Sequence, residues 1–322
     1  MASPLAIIPV FPSLAHCSRR PTLWANVDTL NRVKRLIVNA DDFGLTHGVN
    51  QAIIELHGRG SLTSASLMAH ASDTQQAIQL ALARPTLGVG CHVVLVDGEP
   101  VLSARHDIPR LADPASGRFR RTPGNLLADL YQSRLRAPFT RQPILEEIEA
   151  ETSAQIALLQ KRGLRLTHVD THKHTHMFPA VLRPVLRAAR AAGICVVRNP
   201  FEPTWSLRTT PGAPWLRRTQ VRLLRAFEPS FRRIVAEEGF TTTDGAIGVL
   251  ATGTLNAATI NSLLQALPEG TWELVTHPGY NDVQLSQAGT RLLASRETEL
   301  VALNSIQLPP GVERIHFGNL AS

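Results

Sequence analysis

Leu36-Ile37-Val38-Asn39-Ala40-Asp41-Asp42-Phe43-Gly44 is a short apolar run that ends in two adjacent aspartates and a glycine. Leu36–Asn39 reads as a buried strand. Gly48–Gly60 follows as a helix, with Val49, Ile53 and Leu56 on one face and Gly60 as its stop. The same alternation continues outward. Strands are expected at Ser64–Met68, Gly88–Val96, Leu166–Val169, Ile194–Arg198, Ile247–Leu250, Glu273–Thr276 and Arg314–Phe317. Helices are expected at Asp73–Ala83, Ile144–Gly163, Pro179–Ala192, Asn256–Ala266 and Arg291–Asn304. Residues 97–140 read as a long loop with poor internal order, and residues 199–244 break the rhythm. Strands alternating with helices predict an α/β fold with a parallel sheet. About eight strands in one catalytic domain suit a distorted (β/α) TIM-like barrel. An open doubly wound sheet is the alternative, but NADDFG is not the glycine-rich phosphate turn that such a sheet places after its first strand.

The composition is globular: 322 residues, 43% hydrophobic and 18% charged, which excludes a disordered or fibrous chain. No stretch approaches the roughly 18 apolar residues of a membrane helix. Cys17, Cys91 and Cys195 form no CxxC pair, which excludes a cysteine-based zinc site and fits a reducing, cytoplasmic setting. Residues 1–34 carry Pro4, Pro9, Pro12 and Pro21, lack the pattern of a signal peptide, and read as a disordered tail before a domain spanning 35–322.

The net charge is +7. Between positions 205 and 233, Arg208, Arg217, Arg218, Arg222, Arg225, Arg232 and Arg233 face only Glu228. Trp215, Leu216, Val221, Leu223, Leu224, Phe227, Phe231 and Ile234 interleave with them. An outer helix with solvated arginines is the simpler reading. Peripheral contact with a membrane, or a site for a lipid-linked sugar, is the alternative.

Polar residues gather at the carboxyl ends of the expected strands, the face of a barrel that carries active sites. One aspartate of the Asp41-Asp42 pair can bind a divalent metal while its neighbour acts as general base. A helix N-cap would need only one of them. His172, His174 and His176 stand at alternate positions, which in an extended segment point the same way. Asp, His and His with an open position make a hydrolytic metal site for zinc or another divalent ion, and His92 can supply a further ligand. His277, before Pro-Gly at a strand end, can protonate a leaving group. Arg198 can hold a carboxylate or an anionic product.

LIVNADDFG at 36–44, LTSASLM at 62–68, GVGCHVVL at 88–95, HVDTHKHTH at 168–176, VVRNPFEP at 196–203, ELVTHPGY at 273–280 and SRETEL at 295–300 occur in one order. Together they resemble the YdjC-like (ChbG-type) carbohydrate deacetylase family. HVVLVDGEPVL at 92–102 and His172-Lys173-His174 look most like its hopanoid-biosynthesis-associated branch, whereas ELVTHPGY followed by SRETEL looks more like its general chito-oligosaccharide branch. The resemblance implies a distorted (β/α) barrel and one divalent metal ion, magnesium or zinc. It implies removal of an acetyl group from an N-acetylated amino sugar, either a chito-oligosaccharide or an N-acetylglucosaminyl lipid. By position Asp41 matches the catalytic base, Asp42, His92 and His172 the metal ligands, and His277 the acid. Arg198, His174 and His176 are left as candidate substrate contacts. Lys173 stands where the family commonly has His, a departure at the rim of the site. A homodimer and no nucleic-acid partner are expected.

Two other readings compete. A metal phosphoesterase would want two metals and more ligands than one aspartate pair offers. A nucleic-acid-binding protein would use the arginines but leave the Asp and His cluster unexplained.

Overall fold

In a computed structural model, residues 33–119, 122–136 and 143–321 are described. The expected tail falls almost wholly outside them. Among the described residues the strands are β1 (Lys34–Phe43), β2 (Ser64–Leu67), β3 (Gly88–Val93), β4 (Val169–Thr171), β5 (Gly245–Ile247), β6 (Gly270–Thr276) and β7 (Val312–Arg314). They form one sheet in the order β4-β3-β2-β1-β6-β5, with β7 added beside β1, and every pairing is parallel. The helices are α1 (His47–Gly58), α2 (Thr74–Leu82), α3 (Pro123–Arg136), α4 (Pro143–Lys161), α5 (Pro179–Ala191), α6 (Thr204–Thr209), α7 (Trp215–Leu224), α8 (Glu228–Glu237), α9 (Ala257–Gln265), α10 (Val283–Gln287) and α11 (Ala294–Asn304).

The sheet curls into an incomplete barrel. Between β4 and β5 the expected strand Ile194–Arg198 is reduced to single parallel bridges, Val169 to Val197 and Val196 to Thr241. The expected distorted (β/α) barrel is thus present as a half-barrel, one that does not close fully and whose gap these bridges span. The expected strand at Ile247–Leu250 lies earlier, because Gly248 takes φ +87° and ends the extended backbone. The described residues within 97–140 are also more ordered than expected. α3 occupies part of them, and two buried carboxylates of α4 pin the segment around 101–111. Glu151 accepts from the amides of Val101 and Leu102, and Glu147 from those of Arg110 and Leu111. That order comes from tertiary contacts and leaves no local pattern.

The strands are almost wholly apolar where they meet the helices, and one large core cluster joins β1–β4 and β6 to α1, α2, α4, α5 and α9. Parallel strands buried on both faces need this composition. Because all strands run the same way, every carboxyl end opens on one rim. Among the described residues no helix is long and apolar enough to cross a membrane.

Candidate active site

Adjacent residues of a regular strand point to opposite faces. β1 breaks that rule at its end. Ala40 pairs with Ala65 and Phe43 with Leu67, so β1 carries one residue more than β2 over this step. The bulge places Asp42 at φ +65° and lets both Asp41 and Asp42 line the same cavity. That cavity, of about 760 Å³, is also lined by His92 at the end of β3, His172 and His174 after β4, and His277 after β6. The His172–Met177 segment is not extended, as alternation of its histidines would require. Lys173 and His174 both take left-handed backbone, with φ of +54° and +53°, inside a 3-10 turn. His172 and His174 consequently reach the cavity. His176 turns inward, bonded to the Thr171 hydroxyl and the Arg198 carbonyl.

Three donor atoms form a small triangle. Asp42 Oδ1 lies 3.6 Å from His92 Nε2 and 3.3 Å from His172 Nδ1. The two nitrogens are 3.3 Å apart. Asp42 Oδ1 is buried and has no hydrogen-bond partner. Tetrahedral ligands about 2.1 Å from a common ion stand roughly 3.4 Å from one another, so the triangle fits a divalent cation. The outer groups are also set for one. Arg296 donates to Asp42 Oδ2 at 2.5 Å, leaving Oδ1 for the ion. Asp170 holds His92 Nδ1 at 2.9 Å, which presents Nε2 to the triangle. A second trio, Asp41, His92 and Asp170, is also compact. Its carboxylates are taken up by Arg198, so it fits a cation poorly.

The charges are strongly shifted. Burial would raise the Asp42 pKa, but Arg296, then His172 and His92, hold it well below the usual carboxylate range. Burial would likewise lower His92, yet Asp170, Asp41 and Asp42 push it up to about 9. The same negative potential favours any cation in that place.

Of the two roles expected for Arg198, holding a carboxylate or touching substrate, the geometry matches the first: it is 0% exposed and does not line the cavity. Its guanidinium ties three carboxylates together: Asp41 at 2.6 Å, Asp170 at 2.5 Å and Glu273 at 2.7 Å. His176 is equally buried and also stands behind the site. Of the three expected substrate contacts only His174 lines the cavity, and its buried Nδ1 has no partner. Arg198 grips both oxygens of Asp41, and Asn39 donates to Asp41 Oδ1 as well. Despite burial, this keeps the Asp41 pKa low. His277 Nε2 stands 3.7 Å from Asp41 Oδ2. Burial, only partly opposed by Asp41 and Asp42, lowers the His277 pKa to about 4. Glu299 accepts from the His277 amide at 2.6 Å and fixes this turn.

Glu273, Arg296 and Glu299 escaped the sequence reading, and Asp170 is legible there only as a polar residue at a strand end, with no role. The usable signal is a charged residue inside an apolar strand, as in Trp272-Glu273-Leu274, or one that alternates with His168 and His172, as Asp170 does. A charge in such a place must be paired.

The sequence profile of the YdjC-like protein family matches residues 35–313. A carbohydrate deacetylase of Brevibacillus brevis is 34% identical over 278 residues, covering 85% of this chain and 92% of that protein. A carbohydrate deacetylase of Homo sapiens is 32% identical over 265 residues, covering 77% of this chain and 76% of that protein. A solved structure from Enterococcus faecalis V583, described as a cellobiose-phosphate cleavage protein, superposes with a TM-score of 0.69 at 26% identity. The match covers 90% of this chain and all of that one.

Proposed function

The chain belongs to the YdjC-like protein family, and we propose on that footing that it is a carbohydrate deacetylase, a metal-dependent hydrolase that frees acetate from an N-acetylated amino sugar. The observation that carries the reading is the triangle of Asp42, His92 and His172 beside an Arg198-clamped Asp41, with His277 across the gap. A divalent ion held by Asp42, His92 and His172 supplies Lewis acidity to the acetyl carbonyl and to water.

The remaining work falls to the side chains. Asp41 is ionised through neutral pH because Arg198 keeps its pKa low. Its Oδ2, which faces His277, accepts the proton of the attacking water. His277 is neutral at rest, since its pKa lies near 4, so the proton it delivers must arrive during the reaction. The 3.7 Å separation from Asp41 Oδ2 gives that route, shortened once substrate fills the site. The proton then passes to the departing amine, and acetate and the free amino sugar leave. His174, on the cavity wall with an unpartnered Nδ1, is set to hold a sugar hydroxyl.

The finer choice is between a soluble chito-oligosaccharide and an N-acetylglucosaminyl lipid, of which a hopanoid is one case. Val221, Leu223, Leu224 and Val249 make one wall of the cavity apolar, which favours a substrate with an apolar portion. A two-metal phosphoesterase is disfavoured, because Arg198 fills the place of a second ion. The test is acetate release from N,N′-diacetylchitobiose and from an N-acetylglucosaminyl lipid, with Asp41→Asn as control. Release that needs metal and disappears in the variant supports the reading. Silence on both substrates from folded, metal-loaded protein refutes it.

A further inference from the structure

The first turn of helix α7 is inverted, although Val221 further along is buried and Arg222 is exposed. On a helix of a globular protein, arginines ordinarily face water and apolar residues face the core. Here Arg217 donates to the Val249 carbonyl, and Arg218 to the carbonyls of Leu207, Thr210 and Ala213. Trp215, Leu216 and Leu223 point outward, 76%, 55% and 68% exposed. Residues 215, 216, 219 and 223 share one helical face by spacing, so the exposed apolar groups are contiguous with Thr219. Leu223 also lines the cavity, which puts this patch at the mouth of the candidate active site.

The charge around the patch selects its occupant. Residues 204–227 hold five arginines and no aspartate or glutamate. Arg208 and Arg222 are exposed. Arg217 and Arg218 are taken up by carbonyls and Arg225 by Glu228, but aromatic and leucine side chains beside the exposed Arg208 and Arg222 match the boundary of an anionic bilayer, where the apolar groups enter the acyl region and the arginines meet phosphate. A neutral protein partner would leave the exposed Arg208 and Arg222 without a counter-charge.

We propose that the outward face of α7 docks onto an anionic lipid bilayer and holds the mouth of the cavity against it. This deepens the deacetylase reading in one respect only: it explains how a lipid-linked sugar reaches Asp41 without leaving the membrane. Docking itself is read without turnover, so its failure and the failure of that reading are separable.

The test is co-sedimentation of the full chain with vesicles of phosphatidylglycerol and phosphatidylcholine, and with phosphatidylcholine alone. Binding to the anionic vesicles, weakened by salt, is expected. Trp215→Ser/Leu216→Ser should lower the partition coefficient by about tenfold or more. Neither residue lines the cavity, so acetate release from soluble N,N′-diacetylchitobiose should be unchanged in the same variant. Three results overturn the proposal. One is no association of folded protein with anionic vesicles. Another is equal association of the double variant, which assigns binding to arginines elsewhere. The third is a dimer in light scattering that the double variant converts to monomer, which assigns the patch to a second copy of the chain.

Discussion

Arg198→Met removes one cation from among three buried carboxylates. Asp41, Asp170 and Glu273 all lie within 2.7 Å of its guanidinium, and the four side chains are at most 4% exposed. Removing one partner of a buried ion pair costs about 3 to 5 kcal/mol, because the remaining charge is left without compensation. For a chain of this size each kcal/mol shifts Tm by about 2 °C, so a fall of about 6 to 10 °C is expected. The deficit should depend on pH. Without Arg198 the folded-state pKa values of Asp41 and Asp170 rise above their unfolded values. They then destabilise the fold at high pH, and this penalty fades as pH falls through the raised values. The gap in Tm between variant and wild type should therefore narrow from pH 8 to pH 5, read by differential scanning calorimetry. Kinetics give an independent reading through Arg198→Lys, which keeps the charge but loses the two-pronged grip on Asp41. Its kcat should fall while KM stays close to wild type. A methionine variant within about 2 °C of wild type, or a lysine variant with raised KM and unchanged kcat, would return Arg198 to the role of a substrate contact and refute the clamp.

Zinc at a hundredfold excess over its Kd should raise Tm by about 5 °C, from roughly 2.7 kcal/mol of linkage. His92→Ala should abolish that shift in a thermal-melt titration. His277→Gln should lower kcat by about 10² to 10³ while metal binding by calorimetry is retained. The pH profile of kcat/KM should show no inflection near 6.5, because burial holds His277 near 4 and it stays neutral across pH 5–8. A fall in kcat/KM as pH rises through that range would mean that His277 must start protonated.

Much of this site can be read from the chain because it rests on local signals. The apolar run before Asp41-Asp42 and the crowding of histidines after β4 survive any packing arrangement. A parallel sheet then brings those strand ends to one rim. The remainder is tertiary. Nothing local tells that β1 gains a bulge at Asp42, yet that bulge is what turns both aspartates into the cavity. Arg198 looks like one more arginine in an arginine-rich chain. Its burial depends on Asp170 and Glu273 arriving from two other strands. The kink at Lys173 and His174 likewise separates His176 from its neighbours, against the simple alternation. The apolar face of α7 is hidden for the opposite reason. A Trp-Leu-Arg-Arg start suggests buried Trp and Leu with solvated Arg, and the structure reverses the two.

These pieces make one arrangement. Arg198 and Arg296 neutralise the outer carboxylates and leave one oxygen of Asp42 free beside two imidazoles. Whether that vertex carries the chemistry is decided by titrating chelator-stripped protein with zinc while following acetate release from an acetylated amino sugar that the protein accepts. The account predicts no release from stripped protein, a linear rise with added metal, and a plateau at one ion per chain that Asp42→Asn removes. Full activity in the stripped protein, with no metal detected by elemental analysis, would contradict it.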